Sequence, residues 1–214
     1  MSKPVLIIGA GGHAKVLVDI LRELKVTIVG LVAKDKYRKN PVFDKIPYFD
    51  SDDDVLSFDK DKVLLVNGIG SLPNLKLRAE MHQKFNQHGY SFATIVSPRA
   101  IVSKYCRLCE GVQVMPGAII NAQSVIGTAT IINSGSIIDH DCNIGAHNHI
   151  APGATLSGGI NTGEGVHIGT GAAISQGLTI GNGSVIGAGS SLVKNLSDQI
   201  TIFPGVHRFK AASE

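Results

Sequence analysis

The sequence predicts a small α/β unit followed by a parallel β-helix, and three observations predict it. Apolar runs alternate with helical patterns up to residue 96, and every sixth residue from Val102 to Leu192 is aliphatic except Thr162. The third is composition. Eighteen of the 25 Gly lie after residue 97, no aromatic residue occurs from Cys106 to Ile202, and no Lys or Arg from Leu108 to Val193. Ordinary domains carry roughly a quarter charged residues, so this half presents a surface of backbone, amides, hydroxyls and glycine, unlike a usual sandwich or bundle. With 214 residues, 43% of them hydrophobic, the chain can bury one large core or two small ones.

The first element is the β-branched run Val5 to Ile8, which ends in Gly9-Ala10-Gly11-Gly12-His13-Ala14. A helical pattern follows through Val16, Leu17, Ile20, Leu21 and Leu24. Further strands are expected at Thr27 to Val32, Val63 to Val66 and Ser91 to Val96, with a helix from about Pro73 to Gln87 after Gly68-Ile69-Gly70. Alternation of strand and helix is the pattern of a doubly wound parallel sheet. Asp50, Asp52, Asp53 and Asp54 read as a solvated turn and helix N-cap, since no His or Cys accompanies them. Ser97-Pro98 marks the junction, giving units at 1–97 and 98–214.

In the second unit each hexad pairs its aliphatic residue with a small or β-branched one four positions later, as at Cys106, Ala118, Ser124, Thr130, Ser136, Cys142 and Ala154. Neither a helix nor two-residue alternation generates a period of six, whereas a β-helix does. Each hexad is then one short strand and a turn, the interior is too narrow for aromatic rings, and the register is unbroken. A hexapeptide repeat of this kind resembles the left-handed β-helix of acyltransferases, where three hexads make one coil, which implies about five coils here.

Several classes are disfavoured. Twenty basic residues against 17 acidic, a net charge of +3, form no stretch that could track nucleic acid. Met1 to Lys3 lead straight into a strand, and no apolar run is long enough to span a bilayer, so a cytoplasmic protein without membrane insertion is expected. Cys106, Cys109 and Cys142 are too few and too oddly placed for a disulfide framework or a zinc pattern, and two of them occupy the inward hexad position.

Gly9-x-Gly11-x-x-Ala14 lies in a strand-turn-helix context, where backbone N–H groups and a helix N-terminus can meet a phosphate; a tight turn with close helix packing would look the same. Ala33-Lys34 stands where a dinucleotide site places a ribose-binding carboxylate, with Asp35 one step late. A nicotinamide cofactor is therefore disfavoured, leaving a mononucleotide or nucleotide sugar. Between Leu108 and Val193 the carboxylates are Glu110, Asp139, Asp141 and Glu164, and two of these flank His140. An imidazole held by a carboxylate has a fixed tautomer and greater basicity, as a general base requires. Neighbouring residues on a strand point to opposite sides, so only one of the two Asp should orient the ring unless a turn intervenes. His149 and His167, eighteen residues apart, should stack on successive coils. No third convergent ligand makes them a metal site.

The Gly-Ala-Gly-Gly-His-Ala turn, the segment Asn133 to Gly145 with its Asp139-His140-Asp141 core, His149, and Ser191-Leu192-Val193-Lys194-Asn195 together resemble the bacterial sugar acetyltransferases of the PglD and NeuD type, over nearly the whole chain. The resemblance implies a left-handed β-helix, since the repeat alone does not give the hand. It further implies N-acetylation of the 4-amino group of a bacillosamine-type UDP-4-amino-sugar by acetyl-CoA, for bacterial glycan synthesis. His140 would be the base and Asp141 its partner; His149, Gly158, Thr170 and Ala188 would line the coenzyme slot; Gly11, Gly12 and His13 would meet the nucleotide part, and Asn133 the sugar. A homotrimer with active sites between subunits and no metal is likewise implied. The NeuD branch offers O-acetylation of a sialic acid as the alternative, and a non-catalytic nucleotide-sugar-binding solenoid is the second. Two departures stand out. The acidic pair that relatives carry after the second strand is replaced by Ala33-Lys34, and the usual Gly-Val-Pro-Ala tail reads Gly205-Val206-His207-Arg208, where Arg208 and Lys210 could meet coenzyme phosphates.

Overall fold

A computed structural model describes residues 3–33, 40–73 and 76–205. Lys34, Asp35, Val206, His207, Arg208 and Lys210 lie outside the described residues. The N-terminal sheet has four parallel strands, β1 (Val5–Ile8), β2 (Ile28–Val32), β3 (Tyr48–Phe49) and β4 (Leu64–Asn67), in the order β3-β2-β1-β4. Both faces are covered. Val5 and Ile7 point into a cluster with Ala14, Leu17, Val18 and Leu21 of helix α1 (Gly12–Glu23), whereas Leu6 and Ile8 point to Met81 and Phe85 of helix α2 (Leu77–Gln87). A parallel strand buried on both sides therefore reads as a continuous apolar run.

The sequence expectation differs from the structure at one strand. Ser91 to Val96 does not form the fourth strand of this sheet: Phe92 makes a single bridge to Leu65, and β5 (Ile95–Val96) pairs instead with Gln113–Val114 of the coil. The fourth strand is Tyr48–Phe49, too short and too interrupted by Pro47 and Asp50 to show a period. Helix α2 also begins at Leu77, later than Pro73.

From Ile95 the chain winds as a left-handed parallel β-helix. Two-residue strands recur every six residues and stack into three parallel sheets. Their neighbours lie eighteen residues apart, as in Ile131 against His149 and Ile137 against Thr155. The last pairing, Val185 with Thr201, closes a coil two residues shorter. The second residue of each strand points inward, and Ile120, Ile126, Ile132, Ile138, Ile144 and Ile150 form one buried stack with their counterparts in later coils. The small residue four positions on is buried too, and where polar it ties one coil to the next. Ser124 Oγ donates to the Asp139 carbonyl and accepts from the Cys142 N–H, and Thr130 does the same for Gly145 and Asn148.

Each turn takes one residue through the left-handed region. From Gly111 to Gly189 every sixth residue has positive φ, and Gln123, Ala129, Asp141 and His147 are the non-glycines among them. The coil thus has three corners. The α/β unit packs on one sheet and one corner, where Met115 and Ile131 join the α1 cluster and His82 stacks on Phe92 and against His147. Among the described residues no helix is long and apolar enough to cross a membrane.

Candidate active site

Asp139-His140-Asp141 forms the corner between strands Ile137–Ile138 and Asn143–Ile144. The turn resolves which carboxylate holds the ring. Asp141, at φ 59°, swings its side chain back so that Oδ2 lies 2.6 Å from His140 Nδ1. Asp139 instead accepts from the His140 backbone N–H at 2.8 Å and from Asn121 Nδ2 at 2.9 Å, which holds its carboxyl below the usual carboxylate range. The hydrogen bond that His140 donates to Asp141 raises the His140 pKa above its ordinary value, with the Asp139 charge adding to it. With Nδ1 donating to Asp141, Nε2 is the basic atom of a ring that is half-exposed at the corner. One coil above, Gly158 lies flat against the ring: a Cβ there would come within 2.6 Å of Cε1 and 2.7 Å of Nε2. Gly158 is thus the residue over which the imidazole fits, and its N–H makes no hydrogen bond among the described residues.

A second group of candidates gathers elsewhere, beside the sheet that carries the α/β unit. His149 is buried, with Nε2 3.0 Å from Asn133 Nδ2. Because Asn133 Oδ1 accepts from the Ser134 N–H, its Nδ2 must be the donor, so His149 Nε2 accepts. Burial above all, then the neighbouring His167, pushes His149 down to about 3, hence neutral. Its ring meets that of His167 edge-on at 4.8 Å, the stack expected from their spacing. His13, in the first turn of α1, reaches across to the coil, with Nε2 2.7 Å from Gln113 Oε1. Thr170 and Ala188 are exposed at the corner that also carries Asn133, two and three coils along.

Gly11 caps α1 and borders a crevice of about 630 Å³ outside the carboxyl ends of β1, β2 and β4. Open α/β sheets bind ligands in such crevices. Gly11 and Gly12 each have open space where a Cβ would stand, so neither is required there by packing.

One chain therefore brings together His140, Asp141 and Gly158 at one corner, and His13, Asn133 and His149 beside the sheet that carries the α/β unit. Gly158 does not share a slot with Thr170 and Ala188 within one chain. Among the described residues no group of three or more His, Cys, Asp or Glu converges as a metal site.

A family model for the PglD N-terminal domain matches residues 4–85. The structure superposes with a TM-score of 0.84 on a histidine-to-asparagine mutant of perosamine N-acetyltransferase from Caulobacter crescentus, in complex with CoA and GDP-perosamine. That protein is 37% identical, over 94% of this chain and 93% of the other. The chain belongs to the PglD-type family of acetyl-CoA-dependent sugar N-acetyltransferases. The acetyltransferase domain of PglB from Neisseria gonorrhoeae, in complex with acetyl coenzyme A, matches at 30% identity over 94% and 96% of the two chains, with a TM-score of 0.83. WeeI from Acinetobacter baumannii, at 23% identity over 94% and 96% and a TM-score of 0.81, shares the fold. A search of curated proteins returned no match.

In this family member the sequence reading missed part of the crevice wall. Asp50, Ser51, Asp52 and Asp53 line it opposite Gly68, Ile69 and Gly70. The N-cap role expected for this segment is present as well: Ser51 Oγ accepts from the Asp53 N–H, and Asp54 returns the bond to the Ser51 N–H. That local signal masked the second role, which only the position of the turn beyond β3 discloses.

Proposed function

We propose that the protein transfers the acetyl group of acetyl-CoA to the 4-amino group of a nucleotide-linked amino sugar, with His140 as general base. The observation that carries this reading is the His140-Asp141 pair at 2.6 Å, seated under Gly158 with Nε2 free to accept. The sugar amine attacks the thioester carbonyl carbon, its proton passes to His140 Nε2, the carbon–sulfur bond breaks to expel the thiolate, and His140 returns the proton to that sulfur to release the thiol. The Gly158 N–H, which makes no hydrogen bond among the described residues, is the donor offered to the oxygen that becomes negative. Asn133 and His149 would orient the sugar and the acetyl end of the coenzyme, while Thr170 and Ala188 continue the coenzyme track along the corner. The open backbone at Gly11 and Gly12 suits the pyrophosphate.

His140 and the Asn133-His149 group lie at different corners of one coil. A complete site then needs the corner of a second copy, which supports the homotrimer with active sites between subunits. The outward strand residues of the two free sheets carry no charge except Arg107 at one edge, which suits such a seam.

The nucleotide is the finer question. A UDP handle is what the family resemblance implies, yet two observations favour GDP. The 37% identical relative is in complex with GDP-perosamine, and the Asp52 and Asp53 carboxylates in the crevice wall are acceptors that suit the donor-rich edge of guanine better than uracil. The test is thiol release from acetyl-CoA with matched UDP- and GDP-linked 4-amino-sugars and with free sialic acids. Turnover of a nucleotide-linked amine supports the reading, and hydroxyl acetylation alone would replace it. Replacing His140 by Ala should lower kcat by about 10²- to 10⁴-fold; near-normal turnover would remove the general base.

A further inference from the structure

His13 is held from behind by groups whose donor and acceptor roles leave no freedom. Arg78 can only donate, and its Nη2 lies 2.9 Å from Gln113 Oε1, which fixes that end of the amide as oxygen. The other end agrees, because Gln113 Nε2 donates to the Asn67 carbonyl at 2.9 Å. The same Oε1 lies 2.7 Å from His13 Nε2. An oxygen already defined as acceptor requires a hydrogen on that nitrogen, and a neutral ring then leaves Nδ1 as a lone pair. Arg78 is itself clamped: Nη1 donates to the carbonyls of Asn67 and Ile69 at 2.8 and 2.6 Å, and the side chain is buried. Among the described residues no carboxylate pairs with it. A guanidinium buried without an anion is costly unless carbonyl and amide oxygens replace water, so its retention here calls for a purpose.

We propose that Arg78 and Gln113 are positioning residues that lock His13 in its Nε2–H tautomer, so that Nδ1 accepts a hydrogen bond from an amine or hydroxyl of the sugar and refuses a phosphate oxygen. This rests on the nucleotide sugar entering the crevice: Gly70, which lines it, has its missing Cβ position 3.5 Å from that of His13. The charged and titratable groups facing His13 are Arg78 from α2 and His149 from the coil, neither of them anionic. Burial first and the Arg78 charge second push His13 down to about 4, so the ring stays neutral near pH 7.

The test is nitrogen-15 spectroscopy of the histidines in the full-length protein, with His13 assigned by its loss in His13→Gln, together with steady-state kinetics. In the native protein His13 should be neutral above about pH 5 and protonated at Nε2 only. Gln113→Glu keeps the shape and the Arg78 contact but stabilises a His13 cation, turning Nδ1 into a donor. The KM for the nucleotide sugar should rise about tenfold or more at pH 7 and recover as pH is raised through the new His13 titration, with kcat and the KM for acetyl-CoA within about twofold. Gln113→Met, which removes the acceptor, should give both tautomers and a raised KM at every pH. An Nδ1–H tautomer in the native protein would overturn the lock, and so would a rise in Gln113→Glu that no pH restores, or no rise at all. Absence of turnover by the native protein would instead count against the proposed function, while the spectra would still decide the lock.

Discussion

Asp141 occupies a turn position where most coils place glycine, because only there can its carboxylate reach back to the preceding histidine. The left-handed conformation costs a non-glycine residue of order 1 kcal/mol, somewhat less for Asp. Replacing Asp141 by Gly should therefore raise stability by up to about 1 kcal/mol, measured as a higher denaturation midpoint, while kcat falls. Asp141→Asn separates the charge from the conformation. His140 then titrates lower, so the acid limb of kcat/KM moves to lower pH while the maximum drops about 10- to 100-fold. An unchanged limb would mean that His140 is not the group being titrated. At this scale the sequence was informative for a simple reason: in a half-chain nearly free of charge, two carboxylates around one histidine stand out. Gln113 and Arg78 left no such mark, since a glutamine and an arginine become meaningful only when the fold buries them beside each other.

At the scale of elements, the coil rests on backbone contact between glycines. A Cβ at Gly127 would meet Gly145 and Ala146, and one at Gly145 would collide with the carbonyl of Gly163, all at one corner. Gly145→Ala should then lower stability by about 1 to 3 kcal/mol, as overpacking does, read from thermal unfolding. Equal stability would show that successive coils can separate there at little cost. The hexad period was legible because every repeat solves the same packing problem with the same residue types. Strand Tyr48–Phe49 and the fate of Ser91 to Val96 were not legible: strands this short have no periodicity, and their pairing is set by where the coil begins.

At the scale of the molecule, the α/β unit and the coil meet through histidines kept neutral by burial. His82, at the contact of α2 with Phe92 and His147, is pushed down to about 4, and His149 to about 3. A folded pKa below the unfolded value near 6.5 means that the unfolded chain binds the extra proton. Stability is thus complete above about pH 6.5 and declines as pH falls toward the folded values, by on the order of 1 to 2 kcal/mol for each buried histidine at pH 5. Denaturant titrations at pH 7.5 and 5 would check this, and equal midpoints would refute it. The division of the candidate site between corners gives a second expectation. Mixing His140→Ala chains with Ala188→Arg chains, then refolding them together, should restore a fraction of the activity, because some seams of a mixed oligomer carry both intact corners. Were the site contained in one chain, no mixture could recover it.

The stacking of coils also works as a length standard. Neighbouring strands of a sheet stand roughly 4.8 Å apart, so the coils that carry Thr170 and Ala188 lie at fixed heights of about 10 and 14 Å above the one that carries Asn133. Removing eighteen residues beyond Gly159 would leave the catalytic corner intact yet shorten the available track by one such step. A long, extended co-substrate would feel that loss in affinity, whereas the chemistry at His140 would not.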